Sequence, residues 1–185
     1  MTHFQACVLT LALAATPALA ADNGTAMQDA AKGFYGVYQT LHPSDGIPGE
    51  AVRAKFAPFL SPALEALLQQ AGNAQDSFAK ANKDSPPLAE GDLFTSLFEG
   101  ATGVSVGACS GNDRQGRCPV ALTYAAAGAK PVTWTDAVLL VRRPGGWRVD
   151  DVVYGGSWAF GNKGTLSQTL RQIMGFGNQG AGTNE

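Results

Sequence analysis

The spacing of apolar residues changes near Gly100, and this change constrains the fold more than any other feature of the chain. Before Gly100, apolar side chains recur at the three- and four-residue intervals of amphipathic helices, as at Phe34 and Tyr38. After Gly100 they alternate with polar or small residues, as at Val120 and Leu122, which predicts strands. Helices followed by consecutive strands predict an α+β domain, in which N-terminal helices pack on one face of a curved antiparallel sheet.

Local signals predict several element boundaries. Ser61 followed by Pro62 is a helix start, because serine caps the first amides and proline fits the first turn. Residues 143–146 read Arg-Pro-Gly-Gly, which predicts the turn of a hairpin. The last helical spacing predicts a C-terminal helix over residues 166–174, and Gly175 is its predicted end.

The N-terminus has the pattern of a signal peptide over residues 1–20. Residues 7–15 form an apolar run that is too short for a membrane span of about 20 residues, and a small-x-small motif ends at Ala20. Cleavage after Ala20 predicts a periplasmic or secreted protein without a membrane span. The remaining chain is then one domain over residues 21–174, followed by a flexible tail over 175–185.

Two cysteines remain beyond the signal peptide, Cys109 and Cys118, and the residues between them are rich in turn formers. An even pair in an oxidising compartment predicts a disulfide that closes a hairpin loop. Their spacing is not CxxC and no histidine stands near them, so a zinc site or a redox motif is not indicated. The sequence predicts no metal and no cofactor.

Residues 90–100 read EGDLFTSLFEG and predict a short capped helix between the helical half and the sheet. Asp92 is a candidate N-cap, and Gly100 a candidate stop. The apolar residues of the segment follow the spacing of one helix edge: Leu93, Phe94, Leu97 and Phe98. Glu99 has no structural role in this interpretation. It predicts either a salt bridge, for example to Arg148 or Arg171, or a contact with a ligand or partner.

The order of elements, together with the hairpin VLLVRRPGGWRVDDV, resembles the nuclear-transport-factor-2-like superfamily, the α+β cone. The stretches PPLAEGDLFTSLFEGAT, LSPAL and GWRVDDV resemble a small family of exported bacterial proteins within it, described only as a domain of unknown function. The likeness covers most of the chain after the signal peptide. It implies the fold and a cavity between sheet and helices, but no reaction, because such scaffolds host isomerases, dehydratases and hydrolases as well as binding and adaptor domains.

Two carboxylates of the last hairpin are candidate catalytic groups. If the turn centres on Pro144-Gly145, Asp151 lies opposite Val138 and diagonal to Asp136, and both carboxylates can enter the cavity. Such a pair could serve as base and acid with a tyrosine such as Tyr154. A register shift of one residue separates them. The alternative is that Asp136 pairs with a cation and has a structural role.

Aromatic residues crowd the C-terminal third of the chain. Trp134 and Trp158 are candidates for contact with a ligand or partner, as are Phe94 and Glu99, although aromatic residues also simply fill cores. A net charge of -2 without a basic stripe excludes nucleic acid as an expected partner. The predicted function is an exported non-catalytic domain that binds a periplasmic protein or a small apolar ligand. A cavity enzyme of the isomerase or lyase type and an immunity-type or adaptor protein are the alternatives.

Overall fold

The computed structural model describes residues 18–41 and 46–180, with side chains over 23–40 and 46–175. The predicted signal peptide lies outside the described residues, except that residues 18–20 form the first turn of a helix. The helices are α1 (Ala18–Leu41), α2 (Glu50–Phe56), a 3-10 helix (Ala57–Phe59), α3 (Pro62–Ala81) and α4 (Leu166–Gly180). The strands are β1 (Gly103–Val106), β2 (Ser110–Gly111), β3 (Gln115–Tyr124), β4 (Val132–Arg143) and β5 (Gly146–Val153).

All five strands belong to one open antiparallel sheet. Its order is β1-β3-β4-β5, and the short β2 pairs with β3 beyond the end of β1. The sheet is preceded by the helices α1 to α3 and followed by α4, which packs on α3. The predicted α+β class, with N-terminal helices, an antiparallel sheet and a C-terminal helix, is therefore confirmed.

The predicted starts of α3 and of the C-terminal helix are correct. Ser61 accepts a hydrogen bond from the amide of Leu64 through its side chain, at 3.1 Å, and Pro62 opens α3. The predicted end of the C-terminal helix is wrong: α4 does not end at Gly175 but continues to Gly180. Glycine lowers helix propensity without forbidding a helix, so it ends one only where the backbone turns left-handed.

The core fills the layer between the helices and the sheet with aromatic side chains. Phe34, Phe56 and Phe94 are fully buried, and the rings of Phe56 and Phe94 stack with centroids 4.8 Å apart. The ring of Phe34 lies edge-on to that of Phe94 at 5.5 Å. Phe94 therefore fills the core, and its buried ring is not available to a partner, contrary to its candidate role as a contact residue.

The outer edge of β5 is covered by two short segments of the chain. The amide of Ser61 donates to the carbonyl of Val149 at 2.8 Å, just before α3. Near the other end, the amide of Tyr154 donates to the carbonyl of Gly164 at 3.0 Å. These bridges occupy backbone groups that an open sheet edge would present to other chains.

The predicted disulfide between Cys109 and Cys118 is confirmed, with the two Cα atoms 4.2 Å apart. It ties the connection between β1 and β2 to the buried face of β3. Over the part of the chain that the structure describes, no helix combines the length and the hydrophobicity needed to cross a membrane.

Candidate functional site

The segment of residues 91–100 is a buried loop of bends and turns, so the predicted short helix is wrong. The amide of Asp92 donates to the carbonyl of Phe98 at 2.8 Å and closes the loop. Gly91 and Gly100 lie at its ends with φ of 72° and 80°, a backbone region that disfavours other residues. The helix predicted from the i, i+4 spacing did not form. Residues 91–97 are all buried, whereas an amphipathic helix would expose its polar side.

The buried side chain of Asp92 holds the loop together through hydrogen bonds. Its side chain is 1% exposed, and its Oδ1 accepts a hydrogen bond from the amide of Phe94 at 2.6 Å. Its Oδ2 accepts from the hydroxyl of Thr95 at 3.0 Å and from the hydroxyl of Tyr38 on α1. Asp92 therefore caps a backbone amide as predicted, but the amide belongs to a turn and not to a helix.

Burial dominates the electrostatics of this carboxyl group. Removal from water raises the pKa of Asp92 to about 6, against the lowering effect of its hydrogen bonds with Tyr38 and Phe94. Burial, reinforced by the charge of Asp92, raises the pKa of Tyr38 well above its usual range, so this phenol stays neutral. A pKa near 6 would suit acid–base chemistry, but the contacts of the group are all internal to the protein.

Asp136 joins the buried loop to the chain that follows β5. Its carboxylate accepts hydrogen bonds from four donors: the amide and the hydroxyl of Ser96, the amide of Gly155 and the indole N–H of Trp134. The amides of Ser96 and Gly155 each lie 2.8 Å from a carboxylate oxygen. Four donors are close to the full acceptor capacity of a carboxylate.

Asp151 does not join Asp136, because a β-bulge shifts the register of the last hairpin. Asp151 lies opposite Leu139, and Val152 rather than Asp151 lies opposite Val138. The side chain of Asp151 instead accepts from the amide and hydroxyl of Ser167 in the first turn of α4, at 2.9 and 2.6 Å. It therefore caps a helix.

The third catalytic candidate and the expected cation partners also have structural contacts. The hydroxyl of Tyr154 donates to the carbonyl of Leu93 at 2.6 Å, and burial raises the pKa of this phenol above its usual range. Arg148 donates to the carbonyl of Trp147 at 2.9 Å, and Arg171 to the hydroxyl of Ser167 at 3.1 Å. Among the described residues, no hydrogen bond or ion pair joins these arginines to Asp136, Asp92 or Glu99.

An apolar groove of about 460 Å³ lies where the buried loop meets the segment after β5. We call it the aromatic groove; its lining residues are Leu97, Phe98, Glu99, Trp158, Ala159, Phe160 and Gly161. Phe98 is 43% exposed, and Phe160 is 90% exposed. Trp158 packs edge-on against Trp134 with centroids 5.1 Å apart, which anchors one wall on the sheet. Glu99 is exposed, and no hydrogen bond or ion pair among the described residues involves it.

The two walls of the aromatic groove are bonded to each other through polar groups beneath it. Asn162 donates from its side chain to the carbonyls of Asp92 and Thr95, at 2.6 and 2.7 Å. Its amide donates to the carbonyl of Ser96 at 2.9 Å, and the amide of Gly156 donates to the hydroxyl of Ser96 at 2.9 Å. Sequence reasoning identified Trp158 and Glu99 but missed Asn162 and Ser96, whose partners are 40 to 70 residues away.

Searches of protein-family models, of curated proteins and of solved structures each found no match to this chain. Within residues 18–41 and 46–180, no group of three or more histidine, cysteine or acidic side chains is arranged to hold a metal ion. The site therefore has to be interpreted from its own geometry. It is an apolar groove on walls fixed by buried hydrogen bonds, and among the described lining residues Glu99 is the one carboxylate.

Proposed function

We propose that this chain is an exported, non-catalytic domain that binds a segment of a partner protein in the aromatic groove. One observation carries the proposal: Phe160, 90% exposed, stands beside Trp158 and Phe98 in a groove of about 460 Å³. Large apolar side chains grouped at a surface mark interaction sites more often than isolated ones do. Aromatic residues are also enriched among the side chains that dominate binding energy.

The fixed walls favour binding over a purely structural role for these rings. Asn162 and Ser96 hold the walls together, so the groove exists before a partner arrives. A preformed site avoids the cost of ordering loops on association. Phe160 itself lies at a tight turn, in which the amide of Gly161 donates to the carbonyl of Trp158 at 3.3 Å.

The chemistry of the occupant follows from Glu99. This exposed carboxylate lies on the rim of an otherwise apolar groove. A segment with a bulky apolar side chain next to a lysine or arginine would fill the groove and pair with Glu99. Charge complementarity of this kind mainly adds specificity and speeds association.

Export is part of the proposal. It is supported by the signal-peptide pattern of residues 1–20 and by the disulfide between Cys109 and Cys118, since such bonds persist in oxidising compartments. A partner protein would then be periplasmic or extracellular. An immunity-type or adaptor role is a special case of the same binding activity.

The candidate catalytic groups support the non-catalytic choice. Asp136 already accepts four hydrogen bonds, Asp151 caps α4, and Tyr154 donates to a backbone carbonyl. A general base needs a free lone pair within reach of substrate. The isomerase or lyase alternative would require these contacts to break before each turnover.

The test is photo-crosslinking from the groove. With p-benzoylphenylalanine in place of Phe160, the exported protein should crosslink to a specific partner, whereas the same probe at the exposed Val132 should not. The partner is then purified and its affinity measured directly. Phe160→Ser should weaken binding at least ~30-fold, as expected of a central aromatic contact, and Glu99→Lys should weaken it further. Equal affinity of Phe160→Ser and the control Val132→Ser for that purified partner would refute the proposal.

A further inference from the structure

A second cleft, of about 410 Å³, lies between α1, the 3-10 helix and the turn of the β4–β5 hairpin. Asp29 lines it from α1, Phe59 from the 3-10 helix, and Arg142, Trp147 and Arg148 from the hairpin. The cleft shares no lining residue with the aromatic groove. We call it the arginine cleft.

Trp147 carries a polar group that the fold leaves unpaired. Its side chain is 3% exposed, yet its indole N–H has no hydrogen-bond acceptor among the described residues. The indole N–H of Trp134, by contrast, donates to Asp136 at 3.2 Å. Buried donors are almost always paired in folded proteins, so an unpaired one needs an explanation.

The guanidinium groups beside Trp147 retain free donors. The Cζ atom of Arg142 lies 5.6 Å from the centroid of the Trp147 ring, and within the described chain the Arg142 guanidinium donates to no acceptor. Arg148 uses one nitrogen, Nη1, on the carbonyls of Gly145 and Trp147. A guanidinium has five N–H groups, so both arginines have donors left for a ligand.

We propose that the arginine cleft binds an oxyanion, a carboxylate or phosphate group of a small molecule, between Arg142 and Arg148. The planar guanidinium matches the two oxygens of either group, and such charge-assisted pairs are the strong class of hydrogen bonds. The indole N–H of Trp147, a lining residue of the cleft, has less than 1 Å² of accessible surface, so it becomes the third donor through a small shift of the ring on binding. Of the residues that the structure describes, Asp29 is the one carboxylate that lines the cleft, so two positive charges face one negative charge.

The test observes the unpaired N–H directly. In ¹H–¹⁵N spectra of the full chain labelled on tryptophan, Trp147→Phe assigns the indole signal of Trp147, and inorganic phosphate, acetate and benzoate are titrated at constant ionic strength. The Trp147 signal should move with saturation, whereas the signal of Trp134 should stay. Tighter binding of phosphate than of acetate would indicate that the ligand carries a phosphate group, and tighter binding of acetate would indicate a carboxylate. Tighter binding of benzoate than of acetate would indicate that the ligand also makes an apolar contact with Phe59.

Variants define the donors. Arg142→Gln and Arg148→Gln should each weaken binding at least ~10-fold, because each removes a charged hydrogen-bond donor. Arg143→Gln, on the same turn but outside the cleft, should leave the affinity unchanged, and Asp29→Asn should tighten it several-fold. Unchanged positions of the Trp134 and Trp158 signals confirm that each variant is folded. A Trp147 signal that does not respond to any of the three anions, or that responds equally in Arg142→Gln, would overturn the proposal.

Discussion

Replacing Asp92 with asparagine should remove a large part of the pH dependence of folding. Asp92 is 1% exposed, and burial raises its pKa from 3.8 to about 6. The folded chain therefore holds a proton that the unfolded chain releases between these two pH values. Stability is fully present below the unfolded pKa and falls as the pH rises through the folded one.

The magnitude follows from the size of the shift. A shift of about 2 pKa units at about 1.4 kcal/mol per unit gives about 3 kcal/mol of unfolding free energy that the wild type loses between about pH 4 and pH 7. Asparagine resembles the protonated carboxyl group in shape and retains one oxygen as acceptor for the amide of Phe94. Tyr38 adds nothing in this window, because its raised pKa keeps it neutral.

The assay is urea unfolding across this pH range, followed by tryptophan fluorescence, for wild type and Asp92→Asn. The difference between the two proteins cancels carboxylates that titrate equally in both. The unfolding free energy of the variant should rise relative to that of wild type by about 3 kcal/mol as the pH rises from about 4 to 7. Asp84→Asn, an exposed carboxylate, is the matched control and should run parallel to wild type. A pH-independent difference for Asp92→Asn, or one that grows toward acid pH, would refute the assigned burial effect.

Three further predictions test the fold around the candidate sites. Replacing Cys109 by serine should lower the unfolding free energy by about 3 kcal/mol, since the cysteines are nine positions apart, and reduction of wild type should give the same loss in urea unfolding. Asn162→Ala leaves two carbonyl groups without their donor and should lower the unfolding free energy by ~1–3 kcal/mol in urea unfolding. An unfolding free energy equal to that of wild type would show that these hydrogen bonds do not stabilise the fold. Phe160→Ser should change the unfolding free energy little, because Phe160 is exposed, whereas Phe94→Ala should lower it by ~3–5 kcal/mol, because Phe94 is fully buried. Similar losses for the two variants would contradict their assigned burial.

The predictions that succeeded depended on local chemistry. Ser61 and Pro62 start α3 because a cap needs only the next few residues. The disulfide followed from the two cysteines that remained beyond the predicted signal peptide. The α+β class followed from the change of hydrophobic period near Gly100, which reports burial along each element.

The predictions that failed depended on distant partners. Leu93 and Leu97 have the same spacing in a helix and in a buried loop, so the pattern alone could not distinguish them. The difference arises from Ser96, which is buried because Asp136 and Asn162 bond to it from 40 and 66 positions away. No local signal marks such a contact in one sequence.

The bulge in the last hairpin also changes how this strand should be compared with other sequences. Val149 pairs with Leu140 and Asp151 with Leu139, so Asp150 is the residue without a partner across the ladder. Removing Asp150 would restore strict alternation without reversing any side chain, because Val149 and Val152 would then stand two positions apart. An alignment of this hairpin with a regular one should therefore open its single-residue gap inside the strand, at Asp150, rather than in the turn, where gaps are usually placed.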